Sequence, residues 1–275
     1  MRSSVFALAL FAVACVHLPL PAAGRSAPIR YSFTASGSFV TAATDAGGQA
    51  IPSIPEDLAT SSVALRGELS REQARTMRDG SLGNLVRFGA VEMAESIAGP
   101  WSSSTLGGRS VELRTFDNGE ILDIYEASHL AGTPRYGDVF DVLFLALSPV
   151  VPQVQPGSDA WRRGSWPFFA SPERGLRTSY TTSFHNDGTV ESPHGPATRL
   201  PYQGTFEARG QDQLYDAMLQ AHGELSGTVW LGASDVSLLR NELRCTRVIT
   251  ARFESGVQLI QTQDLVVVVD RVEGP

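Results

Sequence analysis

Four histidines lie beyond residue 24, and only His185 and His194, with Asp187 between them, are close enough in the chain to suggest a shared ligand or proton-transfer set; His129 and His222 stand apart. A metal centre gathers several His, Cys, Asp or Glu ligands at suitable spacing, and no second spaced motif accompanies this group. His185-Asn186-Asp187-Gly188 has the composition of a turn, so the group reads as a solvated loop. His222 and Glu224 share one face of an alternating segment and could act as an acid and base pair, although polar pairs on a wet sheet face are the commoner arrangement. Cys245 sits between Leu243 and Arg247. A reactive thiol wants a cationic, partly exposed setting, and a small buried hydrophobe is the expectation here. The chain contains no G-x-S-x-G elbow and no glycine-rich phosphate loop between a strand and a helix. The expectation is a protein without catalytic residues, metal ligands or cofactor, and not an enzyme.

Composition narrows the chemistry further. All 22 basic residues are arginine, with no lysine anywhere in the 275 residues. A Schiff-base nucleophile, a phosphate-loop lysine and an ATP-anchoring lysine of the kinase type are therefore excluded. The formal charge of -7, without a basic cluster, argues against sequence-independent nucleic-acid binding.

At the N-terminus, Arg2 precedes an apolar run from Val5 to Leu20 and then Pro21-Ala22-Ala23-Gly24, which predicts an export signal over residues 1–24. Ala22 and Gly24 fit a small-x-small cleavage site. The alternative is Cys15, because Ala12-Val13-Ala14-Cys15 resembles the lipobox of bacterial lipoproteins, in which the cysteine is lipidated. No later run is long and apolar enough to span a bilayer as a helix. The expected location is the periplasm or cell envelope, with a lipid anchor if Cys15 is used.

The rest must be positioned by strands. The clearest period-two stretch runs from Ala221 to Val272: Leu225, Gly227, Val229 and Leu231 alternate with Glu224, Ser226, Thr228 and Trp230. Leu239, Leu243, Cys245, Ile249, Ala251 and Phe253 then alternate with arginines, glutamates and threonines, and a third run ends in Leu265 to Val269. Earlier strands are predicted over Ile29 to Thr41, Val63 to Leu69 and Leu85 to Ile97. Asn118-Gly119 joins Val111–Phe116 to Ile121–Tyr125 as a tight hairpin. Gly175 to Phe184 and Arg199 to Arg209 add two more. Gly223, Gly227 and Gly232 are the places to expect bulges or kinks. Val139 to Leu147 suits a short buried helix with Asp138 as N-cap. Trp161, Trp166, Phe168 and Phe169 form the densest aromatic cluster, expected in the core rather than as a ligand platform. The fold class is mainly β: one antiparallel domain over 25–275, a large curved sheet forming a half-barrel or open barrel with one short helix, and a sub-boundary only near 149–157.

The order of Tyr31-Ser32-Phe33, Val63 to Leu69, the Asn118-Gly119 hairpin, the apolar Val139 to Leu147 segment, a proline-rich link and Gly157-Ser158-Asp159-Ala160-Trp161 is similar to exported bacterial β-rich proteins of uncharacterised function, often lipoproteins. More distantly the order resembles the N-terminal sheet of vitellogenin-type lipid-transfer proteins. The resemblance implies a non-enzymatic envelope protein whose sheet concavity holds a lipid-like or other apolar small molecule, or an envelope protein partner. The competing expectation is a structural or interaction module with a filled core, and an exported hydrolase comes third.

Overall fold

The alternation read from the sequence becomes the two faces of one wall. In β1 (Ile29–Thr44), Tyr31, Phe33, Ala35 and Phe39 are buried while Arg30, Ser32, Thr34 and Ser38 face outward. The computed structural model describes residues 27–272 apart from 53, 55–58, 117, 126–133, 168–176 and 213–215. The export segment with Cys15, His129, Phe168 and Phe169 lie outside the described residues.

After β1 come β2 (Thr60–Thr76), β3 (Leu82–Ala94), β4 (Ser102–Ser103), β5 (Ser110–Thr115), β6 (Ile121–Tyr125), helix α1 (Pro134–Leu147), β7 (Asp159–Pro167), β8 (Arg177–His185), β9 (Thr189–Ser192), β10 (Gly195–Asp212), β11 (Ala217–Gly232), β12 (Leu238–Phe253) and β13 (Gln258–Val272). The thirteen strands form one sheet in the order β6-β5-β3-β2-β1-β13-β12-β11-β10-β8-β7, with β4 on β3 and β9 on β10. Every pairing is antiparallel, and the first strand joins the last as Phe33 opposite Val269. The C-terminal meander therefore pairs as its periodicity predicts. The Asn118-Gly119 hairpin also forms, with Gly119 at φ 90° and the Glu120 amide donating to Asn118 Oδ1 at 2.9 Å.

The sheet curls until β6 and β7 approach each other, nearly closing a barrel. Eleven strands stand in the main path and each runs opposite to its neighbour, so the two end strands point the same way. Among the described residues no backbone ladder joins them. The contact is made by a side chain: Glu120 Oε1 accepts from the Ser165 amide at 3.0 Å and from Ser165 Oγ at 2.9 Å. Since the Ser165 amide points to this seam, the N–H and C=O groups of the other odd positions of β7 do too. Pro167 is one of them, which is where a residue lacking an N–H does no harm.

Glycines let aromatic rings lie flat against the inner wall. Gly223 and Gly227 are not bulges: the β11 register runs unbroken through both. Phe206 lies over Gly223, and Tyr202 over Gly227; a Cβ at Gly223 would stand 2.1 Å from the Thr246 carbonyl oxygen and 2.7 Å from the Phe206 ring. The Gly223→Ala variant is expected to lose about 1–3 kcal/mol of stability, the usual cost of overpacking, read as a lowered urea midpoint. The irregularity falls instead at Trp230/Leu231, where Leu239 becomes the extra residue. That bulge brings Leu238 into the core cluster, which the simple alternation does not foresee, while Leu239 is buried as the alternation expects but outside that cluster.

The helix packs against the inner wall of the sheet. From Asp138 to Leu147 every side chain is buried except Leu145, which is half-buried and packed on the same core. Phe140 stacks on Phe144 and meets Phe88 of β3 edge-on, at ring separations of 6.0 and 5.7 Å. The helix begins at Pro134, so Asp138 lies in its second turn and is not the N-cap. In the link after the helix Val150 is buried, and Val151 and Val154 pack on the core.

Candidate functional site

The inner wall was the expected place for an apolar ligand, and its rows alternate large apolar side chains with a few polar ones. Asn241 and Arg247 sit on the inner face of β12, and Gln263 on that of β13, all buried. Arg247 Nη2 donates to Asp138 Oδ1 at 2.6 Å, Arg247 Nε donates to Gln263 Oε1 at 2.5 Å, and Gln263 Nε2 donates to Asp138 Oδ2 at 3.0 Å. Asp141, one helical turn further and fully buried, approaches Arg247 Nη1 at 3.7 Å. Two carboxylates and a guanidinium out of water are costly unless paired and hydrogen-bonded. Here they tie the start of the helix to two strands.

The other end of the helix is held by its carbonyls. Arg71 Nη1 donates to the Leu147 oxygen at 2.6 Å and Asn241 Nδ2 to the Ala146 oxygen at 2.9 Å. Tyr202 Oη donates in turn to Asn241 Oδ1 at 3.1 Å. A cation and an amide donor at a helix C-terminus satisfy carbonyls that have no partner within the helix and complement its dipole. The polar residues of the inner wall thus grip the helix at both ends.

Cys245 lies on this wall, fully buried, as expected. Burial pushes its thiol up to about 11, with Asp141 and Asp138 adding to the rise and Arg247 opposing it. Ellman's reagent at pH 8 is expected to leave Cys245 untouched in the native protein and to react once the chain is unfolded in urea. The folded value exceeds the free-thiol value of 9.0, so the associated stability is intact below about pH 9 and falls as pH climbs towards 11, by about 2–3 kcal/mol. The Cys245→Ala variant should show a correspondingly flatter decline between those two pH values.

The histidine group divides in space: His185 keeps Asp187 beside it, Nε2 to Oδ1 at 3.7 Å, while His194 lies apart. His185 Nδ1 pairs with Asp159 Oδ1 at 2.7 Å, and Asp187 pairs with Arg199 at 2.5 Å. His194 is elsewhere, its Nε2 2.9 Å from Asp270 Oδ1 on β13. His222 and Glu224 are both exposed on the outer face of β11. Of the aromatic cluster, Trp166 is in the core beside Tyr180 and Phe206, at 5.1 and 5.5 Å, whereas Trp161 is 71% exposed. Two open depressions, of about 420 and 350 Å³, flank His194 and Leu239 near the end of the wall where β1 begins and β13 ends. Their polar groups are engaged with one another: Arg240 binds Asp270 Oδ2 at 2.7 Å and Glu242 Oε1 at 2.8 Å.

The outer wall is polar along its length. Arg30 meets Glu68 at 2.7 Å, Arg66 meets Glu92 at 2.7 Å, and Arg244 meets Asp264 at 2.7 Å, across five adjacent strands. A barrel embedded in a bilayer carries an outward apolar band about 25 Å tall, the reverse of this arrangement. Among the described residues no helix is long and apolar enough to cross a membrane.

The residues that alternation alone did not single out are Asn241, Arg247, Gln263, Asp138 and Asp141. Their signal was available: polar residues on an otherwise apolar row, and two aspartates three apart in an apolar helix. No protein-family model matches the chain, and no curated protein matches it. Among solved structures, a presumed exported protein with a YmcC-like fold from Bacteroides fragilis is similar at 12% identity over 83% of this chain and 93% of that one, with a TM-score of 0.22. A double mutant of the Rh. blastica porin is similar at 6% identity over 90% of this chain and all of that one, with a TM-score of 0.24. Neither score reaches the range in which two chains share an architecture, so the functional reading rests on the residues of this chain alone.

Proposed function

We propose that the protein is an exported, non-enzymatic component of the cell envelope that acts as a filled structural barrel and offers its wall to a protein partner. The observation that carries this reading is the helix, buried on nearly every side and held at both ends by the inner wall, in the space where an apolar ligand would otherwise lie. The export half of the reading rests on residues 1–24 and their apolar run. The non-enzymatic half is supported by the dispersal of the histidines and by a thiol held in its protonated form. Native mass spectrometry of protein purified from an envelope fraction should give the polypeptide mass without a hydrophobic adduct, together with no uptake of a fluorescent fatty acid. A stoichiometric lipid adduct would overturn the filled-barrel reading in favour of a carrier. Because the chain lacks lysine, an amine-reactive dye should label it once if cleavage follows Gly24 and not at all if an acylated Cys15 is the first residue.

A further inference from the structure

The seam is where the wall is least complete. Trp161 and Arg163 are odd positions of β7, so their N–H and C=O groups share the direction of the Ser165 amide, away from β8, and meet no backbone partner among the described residues. Trp161 is 71% exposed and Arg163 is exposed beside it. Neither Arg162 nor Arg163 forms an ion pair among the described residues, although most other arginines of the wall do. Two buried polar atoms without a hydrogen-bond partner, Trp166 Nε1 and Thr178 Oγ1, belong to register partners on the same two strands. The Ser165 amide at the seam is taken by a carboxylate, that of Glu120.

We propose that the free edge of β7 receives an extended, acidic segment of a partner protein as an added strand. An unpaired edge supplies main-chain hydrogen bonds to any extended peptide, and side chains beside the edge set its specificity. Here Arg163 and the exposed Trp161 stand on the outer face, while the other face of the same edge is that of the buried Trp166, which together favour carboxylates on alternate residues with apolar residues between them. A second copy of the same chain is disfavoured, because edge-to-edge pairing of two β7 strands would set arginine against arginine. The inference rests on the reading of the barrel as an interaction scaffold and names the chemistry of its partner.

The test uses the full exported protein and a fluorescein-labelled peptide of about eight residues, alternating valine and glutamate, with blocked ends. It should bind saturably, about tenfold or more tightly than the valine–lysine counterpart, and a version N-methylated at alternate amides should not bind. Arg163→Pro removes a seam-facing N–H and the guanidinium together but no hydrogen bond to β8, and should abolish binding with little change in Tm. Trp161→Ala, at an exposed position, should weaken binding several-fold without affecting folding, and Arg163→Glu should reverse the preference to the lysine peptide. Equal affinity for the two peptides, or binding that survives both N-methylation and Arg163→Pro, would overturn the proposal, as would no binding at about 1 mM peptide. A concentration-dependent dimer lost in Arg163→Pro would overturn it in favour of self-pairing. A lipid adduct in the mass spectrum would instead bring down the filled-barrel reading, and the two failures are read by separate instruments.

Discussion

Arg247→Met is expected to lower the unfolding free energy by about 3–5 kcal/mol, the range seen when one member of a buried ion pair is removed. Arg247 is wholly buried, and its loss removes the guanidinium that Asp138 and Asp141 face from the inner wall. Desolvation of the abandoned carboxylates, rather than lost attraction, supplies most of the cost. The measurement is equilibrium urea unfolding. Replacing the three charged residues together, as Asp138→Leu, Asp141→Leu and Arg247→Met, should recover most of the loss, since an apolar replacement of similar volume removes the desolvation penalty as well as the attraction. If the single variant costs less than about 1 kcal/mol, the level of an exposed surface pair, the cluster does not hold the helix.

The same cluster shows what the sequence could and could not make legible. The meander from β11 to β13 is readable because consecutive strands pair with each other and the period is local. Position parity even places Asn241, Arg247 and Gln263 on the inner face. Alternation reads polarity as exposure, however, and so passes over a polar residue on an inner row. The partner that reverses the reading, Asp138, lies 109 residues from Arg247. The Asp138 cap fails for a related reason: Pro134 starts the helix a turn earlier, which frees the aspartate to face the wall. Leu238 is missed as a core residue because a bulge between Trp230 and Leu231 cannot be told from regular strand by composition. The seam is invisible altogether, since the number of strands in the path, and hence the parallel direction of its two ends, depends on pairings such as β1 with β13 across most of the chain.

Phe140→Ala carries the second large effect and bears directly on whether the barrel is filled or merely occupied. Phe140 is fully buried, with Phe88 and Phe144 against its ring. Truncation removes the ring's transfer free energy and leaves a cavity that the helix, pinned by Arg247 at one end and by Arg71 and Asn241 at the other, cannot collapse to fill. The expected loss is about 3–5 kcal/mol. An apolar cavity of that kind stays dry and accepts small apolar molecules, so benzene should raise the Tm of Phe140→Ala and leave the wild type unchanged. The contrast depends on the wild-type interior having no room. Should benzene or a fatty acid stabilise the wild type equally, the helix is a displaceable plug, and the barrel belongs with carriers. Arg71→Met offers a check that does not alter the core volume: by releasing the Leu147 carbonyl it should loosen the helix end, seen as faster amide exchange at residues 144–147, while the wall strands β11 to β13 keep their protection.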